Sequence, residues 1–170
     1  RVDHHAGVVL VHAPAHHRAV IERAHDLAPY EPRLLVGPGP TELADVDHLA
    51  SLGVTALLSL QTDDDLGARG LRWATLWQLF TARGIHALRV PIRDFDRKDL
   101  ARGVEAALEA LDGLLATNAR VYLHCTAGLN RSPTVALAHL YRTLGPDRAL
   151  AALMERHPDA VPYPDALTRW

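Results

Sequence analysis

Residues 56–60, 85–92 and 121–123 are short, nearly continuous apolar runs, and the stretches between them carry apolar residues at helical spacing. A strand that is apolar on both faces has to be covered on both faces, and crossovers containing helices join strands in parallel. Leu34-Leu35-Val36 adds another such run, closed by the turn Gly37-Pro38-Gly39-Pro40. The expected architecture is an α/β domain of three layers: a mostly parallel four- or five-stranded sheet with helices on both faces.

The helices can be placed from their own signals. Leu43, Val46, Leu49 and Ala50 form one face, with Thr41 as the expected cap and Gly53 as the stop. Trp73, Trp77 and Phe80 recur at i, i+4 and i+7, and the helix they predict ends near Gly84. A longer helix, capped by Asp99, turns Leu100, Val104, Leu108, Leu111 and Leu115 inward. Another follows residue 131 and ends at Gly145-Pro146, and residues 148–156 give one more. Asp63-Asp64-Asp65 reads as a solvated turn.

At 170 residues the chain fits one domain, expected over 30–170, with residues 1–29 as a peripheral N-terminal extension or linker. That extension holds six of the eleven histidines. Although His12, His16 and His17 share a helical face, no accompanying carboxylate or cysteine pattern supports a metal there, and no metal or other cofactor is expected. Net charge is −2. No broad positive field exists for a nucleic acid or an anionic membrane, and no apolar run is long enough to span a bilayer. The expected location is cytoplasmic. Lys98 is the only lysine, and the excess of Arg, Ala and Leu points to a GC-rich, bacterial genome.

One segment carries chemistry. The strand Val121-Tyr122-Leu123 runs into His124-Cys125-Thr126-Ala127-Gly128-Leu129-Asn130-Arg131-Ser132-Pro133, and an apolar helix follows without a gap. The only cysteine, which can form no internal disulfide, therefore sits at the C-terminal end of a strand and under a helix N-terminus, where α/β sheets bind anions. Thr126, Ala127, Gly128, Leu129 and Asn130 form a loop short enough to curl with its amides inward, and Gly128 and Asn130 tolerate the backbone angles this needs. Such a ring fits a tetrahedral oxyanion.

Helix dipole, amides and Arg131 all favour a thiolate at Cys125, which makes it a nucleophile, and the planar Arg131 fork suits two phosphoryl oxygens. Ser132 can hydrogen-bond the sulfur, while His124 orients the loop. A leaving oxygen needs a proton, and Asp94-Phe95-Asp96, after the strand over 85–92, is expected at the same sheet edge. Asp94 is the chosen acid and Phe95 a candidate stacking surface for substrate. The alternative from another class is an inactive module that binds a phospho-group without turning it over.

The run HCTAGLNRSP resembles the signature of the dual-specificity, cysteine-dependent phosphatases, and the likeness extends over 30–170. Its nearest form is the glucan phosphatases of starch and glycogen, through LLVGPGPTELADVDHLASLGVTALLSLQ, RVPIRDFD and VYLHCTAGLNRSPTVALAHLYRTLG. The resemblance implies a phosphomonoesterase working through a thiophosphate intermediate, with Cys125 as nucleophile, Arg131 as phosphate binder, Asp94 as general acid and Phe95 as a glucan contact. A phosphorylated glucan is the implied substrate, and a phosphoprotein the alternative. Cys-Thr-x-Gly-x-Asn-Arg is also similar to RNA 5′-triphosphatases, since Asn130 stands where glucan phosphatases usually have glycine. A loop without lysine argues against nucleic-acid and phosphoinositide substrates. If the substrate is a glucan, Trp73 or Trp77 is expected beside Phe95 along a cleft, because sugar rings stack on aromatics. Burial in the core is the competing expectation for both indoles.

Overall fold

The computed structural model describes residues 20–168. The histidines at positions 12, 16 and 17 lie outside them. A five-stranded sheet forms the centre: β1 (His25–Asp26), β2 (Leu34–Gly37), β3 (Ala56–Ser59), β4 (His86–Arg89) and β5 (Val121–His124), in the order β1-β2-β5-β3-β4. β2, β5, β3 and β4 are parallel, and only β1 runs antiparallel, on β2. β5 is central, with Leu123 beside Val36 on one side and Leu58 on the other.

One face of the sheet packs on α4 (Arg97–Ala116), α5 (Arg131–Leu144) and α6 (Pro146–Arg156), the other on α1 (Leu43–Ser51) and α3 (Trp73–Thr81). A short helix, α2 (Asp63–Gly67), follows β3. The expected inner face of α4 is found: Leu100, Val104, Leu108, Leu111 and Leu115 are all buried. Gly145 closes α5 at φ 77° and Pro146 opens α6, as a residue free at positive φ and one without an N–H should. Among the described residues no helix is long and apolar enough to cross a membrane.

Several expectations are corrected. Residues 20–29 are not peripheral: Ile21 and Leu27 are fully buried, and β1 supplies the fifth strand. Two polar residues carry no periodicity, which is why β1 is silent in the sequence. α1 is capped at Glu42 and not at Thr41. Thr41 instead donates its amide and hydroxyl to the buried Asp45, at 2.7 and 3.0 Å. Asp96 caps α4 in place of Asp99, accepting the Asp99 amide at 2.9 Å. Asp99 is occupied by the Arg93 amide, at 2.8 Å. Of the aromatic stripe on α3, Phe80 is buried, Trp73 is half-buried with Arg89 over its ring, and Trp77 is 47% exposed.

After Tyr122, Phe80 is the largest fully buried side chain in the layer between α3 and the sheet. Phe80→Ala should cost about 3–5 kcal/mol of unfolding free energy, measured by urea denaturation, because it removes both burial and packing.

Candidate active site

β5 ends at His124, and the chain turns through residues 125–130 before α5 begins at Arg131. How that turn is oriented follows from its carbonyls. Thr126 O accepts from the Gly39 amide at 3.0 Å, Gly128 O lies 2.8 Å from His157 Nε2, and Leu129 O accepts from the Val161 amide at 2.7 Å. Cys125 O accepts from His124 Nδ1 at 2.9 Å. In a trans peptide the next N–H points opposite to the carbonyl. The amides of Thr126, Ala127, Leu129 and Asn130 are therefore turned away from these partners. Among the described residues, none of the amides of residues 126–130 donates to the protein. Gly128, at φ 76°, lies so close to β2's exit that a Cβ would stand 2.5 Å from Pro38 N. Only glycine fits there.

Cys125 is buried, and Ser132 Oγ donates toward its sulfur at 3.3 Å. His124 is fully buried, so desolvation holds its imidazole down at about pKa 4, with the Arg131 charge adding to the effect and the bond to Cys125 O opposing it. A carbonyl accepts only, so the neutral ring carries its proton on Nδ1.

Arg131 is 1% exposed, and its guanidinium is a hub. Nη1 donates to Asp65 Oδ2 at 2.7 Å and to Ile92 O at 2.8 Å; Nη2 reaches Thr126 Oγ1 at 3.1 Å and Asp94 Oδ2 at 3.0 Å. Nε is buried with no partner. The fork edge formed by Nε and Nη2 thus retains a free donor of the kind a phosphoryl oxygen accepts from. Asp94 is brought to the site and Asp96 is not, since its carboxylate caps α4. Between them Phe95 takes φ 56°, strained for a bulky residue, and its side chain is 83% exposed. That reversal turns Asp94 inward and Asp96 back toward the helix.

Asp65 was expected in a solvated turn and is instead one wall of the site. It lies in the first turn of α2, where its carboxylate also accepts the Thr62 amide at 2.8 Å. Burial by itself pushes the carboxyl up, but the bonds from Arg131 and Thr62 together outweigh this and hold it below the usual range. Asp94 reaches the site at the expected sheet edge, although from a strand that is not adjacent to β5. β3, not β4, adjoins β5, and its exit supplies both Asp65 and Gln61, whose Nε2 donates to Thr126 Oγ1 at 3.1 Å. The Thr62-x-x-Asp65 capping pattern directly after an apolar strand was the available signal.

Residues 39–165 match the family model described as dual specificity phosphatase, catalytic domain. The chain belongs to that family. Within it, the chain is 38% identical over 116 residues to the amyloplastic phosphoglucan phosphatase DSP4 of Castanea sativa, covering 67% of this chain and 31% of that protein. It is 31% identical over 114 residues to human dual specificity protein phosphatase 9, covering 66% of this chain and 26% of that one. The chain thus spans less than a third of either relative. Among solved structures, Tk-PTP in its active form superposes with a TM-score of 0.66 at 23% identity, over 85% of this chain and 91% of that one, a likeness of fold.

Two outcomes test this geometry. Asp65→Ala should lower kcat/KM toward an aryl phosphate by about 10²-fold, because a misaimed arginine loses most of its effect. Asp63→Ala and Asp64→Ala should stay within about twofold, as exposed charges do. The second concerns stability. With its folded pKa depressed from 6.5 to about 4, His124 lets the unfolded chain take up a proton first. Stability is complete above pH 6.5 and falls by about 3 kcal/mol on the way to pH 4. In urea titrations His124→Asn should flatten that slope.

Proposed function

We propose that this domain is a metal-independent phosphomonoesterase working in two steps through a thiophosphate on Cys125, with phosphorylated glucan as its substrate. The observation that carries the chemistry is the juxtaposition of a buried cysteine, a ring of undonated amides and the Arg131–Asp94 pair. Cys125 thiolate attacks phosphorus, forming the S–P bond as the P–O bond to the leaving group breaks. The loop amides and the Nε and Nη2 edge of Arg131 take the charge gathering on the equatorial oxygens. Asp94, protonated, gives its proton to the leaving oxygen; as carboxylate it then takes one from the water that cleaves the thiophosphate. Ser132 donates to the departing sulfur.

The glucan assignment is supported by the likeness to the Castanea phosphoglucan phosphatase and by a loop whose Thr126, Ala127 and Leu129 are uncharged. It is supported physically by the exposed Phe95 ring beside Asp94, a face of the kind that suits sugar rings. The cavity of about 400 Å³ along α2, lined by Asp63, Leu66, Arg72 and Trp73, does not reach Phe95, and Arg89 covers the Trp73 ring. A phosphoprotein substrate is the second reading, favoured by the similarity to human dual specificity protein phosphatase 9. The composition supports a bacterial source and a cytoplasmic setting, which we include in the proposal.

A substrate panel with chelator present tests this: solubilised phosphorylated amylopectin, phosphotyrosine and phosphoserine peptides, and RNA 5′-triphosphate. Phosphate release from amylopectin, abolished by Cys125→Ser, is expected. Asp94→Ala should reduce turnover by about 10²–10⁴-fold, whereas Asp96→Ala should mainly cost a helix cap, about 1 kcal/mol of stability. Hydrolysis of peptides alone would assign the phosphoprotein reading, and equal turnover by Cys125→Ser would refute the mechanism.

A further inference from the structure

Beyond α6 the chain turns back along the phosphate loop through residues 157–161, a stretch that the mechanism above does not use. Three hydrogen bonds join the two. His157 Nε2 lies 2.8 Å from Gly128 O, the Val161 amide donates to Leu129 O at 2.7 Å, and Asn130 Nδ2 donates to Val161 O at 2.8 Å. Two successive peptides of the loop are thereby held with their carbonyls on the same side.

His157 is 2% exposed, and its chemistry is constrained. Gly128 O can only accept, so Nε2 carries the proton. Nδ1 is then an acceptor, buried without a partner. The ring lies flat on His25, with centroids 3.7 Å apart and planes 16° apart. His25 Nδ1 lies 3.1 Å from Arg156 O and must donate to it, which fixes that tautomer too. Burial lowers the basicity of both rings, and His157 and, less strongly, the Arg156 charge lower that of His25 further, while the bonds to Arg156 O and Gly128 O and the Asp159 charge oppose the shift. The stacked pair is consequently neutral, with both exchangeable protons pointed at carbonyls. The costs of an orphaned Nδ1 and of burying the His157 imidazole are unusual for a mere surface turn.

We infer that His157, braced by the stacked ring of His25, is a positioning residue that locks the Gly128 carbonyl outward so that the Leu129 amide faces the bound phosphoryl group. This rests on the phosphate-ester reading of the site. A loop released from His157 spends part of its time with that peptide rotated, and affinity for an oxyanion falls in proportion to the competent fraction. The effect is on the loop's population, since His157 touches neither sulfur nor substrate.

The test compares two variants of similar volume: His157→Gln, which keeps a donor near Nε2, and His157→Leu, which removes it. Inorganic phosphate is titrated into each protein and followed by the amide NMR shifts of residues 126–130, so no turnover is needed. The Leu variant should bind phosphate roughly three- to tenfold more weakly than wild type, matching the loss of one net hydrogen bond, and the Gln variant should recover most of the loss. Equal affinities in the two variants would overturn the inference. If the Leu variant does not fold, the imidazole ¹⁵N spectrum of wild type decides: Nε2–H supports the assignment, and an Nδ1–H tautomer removes it. Failure of wild type to bind phosphate at all would instead sink the phosphate-site reading, and this inference with it.

Discussion

A guanidinium buried to 1% exposure has to be surrounded by acceptors, and the way Arg131 meets that demand organises one whole edge of the sheet. Taking an ion from water costs several kcal/mol even after relaxation, and leaving it unpaired costs about 3–5 kcal/mol. Arg131 reaches Asp65 and, more distantly, Leu60 O in the segment after β3, Ile92 O and Asp94 in the segment after β4, and Thr126 after β5. Three strand exits that are remote in sequence are thus fastened to one planar group. The parallel order β5-β3-β4 makes this possible, because it places all three C-terminal ends side by side.

The second constraint is space. The turn leaving β2 lies directly against the phosphate loop: the Gly39 amide bonds to Thr126 O, and a Cβ at Gly39 would stand 2.9 Å from Cys125 O. Gly128 faces the same turn from the other side. The Gly37-Pro38-Gly39-Pro40 punctuation, which in sequence only marks the end of a strand, thus also supplies, at its two glycines, backbone without side chains against which the loop can rest. On the far side residues 157–161 do the complementary work through His157 and Val161. The loop's inward amides are a consequence of what holds its carbonyls outside.

What the sequence made legible follows from which forces are local. The inner face of α4 was readable because twenty residues of one period leave little ambiguity, and the placement of Cys125, Arg131 and Ser132 because a strand, a six-residue turn and a helix are contiguous. Helix starts were misplaced where two capping side chains compete within four residues: Asp45 gathers Thr41, and Asp96 outranks Asp99. Asp65 was misread because three consecutive aspartates look solvated, and because strand order, which decides that the exit of β3 meets Arg131, is written nowhere locally. His157 was silent for the same reason, lying 32 residues beyond Cys125 in a proline-rich turn with no period to expose it.

Charge balance in the site bears on which carboxylate can move a proton. Arg131 brings one positive charge against Asp65, Asp94 and, on the proposed mechanism, the Cys125 thiolate, so the four groups already sum to two negative charges when both carboxyls are ionised. A phosphoryl dianion entering on the Nε and Nη2 edge would add two more, opposed only by amide and helix-dipole partial charges. The proposed mechanism assigns one of the two carboxyls the proton that the leaving oxygen takes. Asp65 is the poorer choice, because it also accepts the Thr62 amide, and protonating it gives up a bond that anchors α2. Asp94 has fewer ties: its Oδ2 faces Arg131 and its Oδ1 accepts only the adjacent Phe95 amide at 3.1 Å. On the proposed mechanism the incoming dianion competes with Asp94 for Nη2, and the carboxyl that gives up that contact is the one free to turn toward the leaving oxygen.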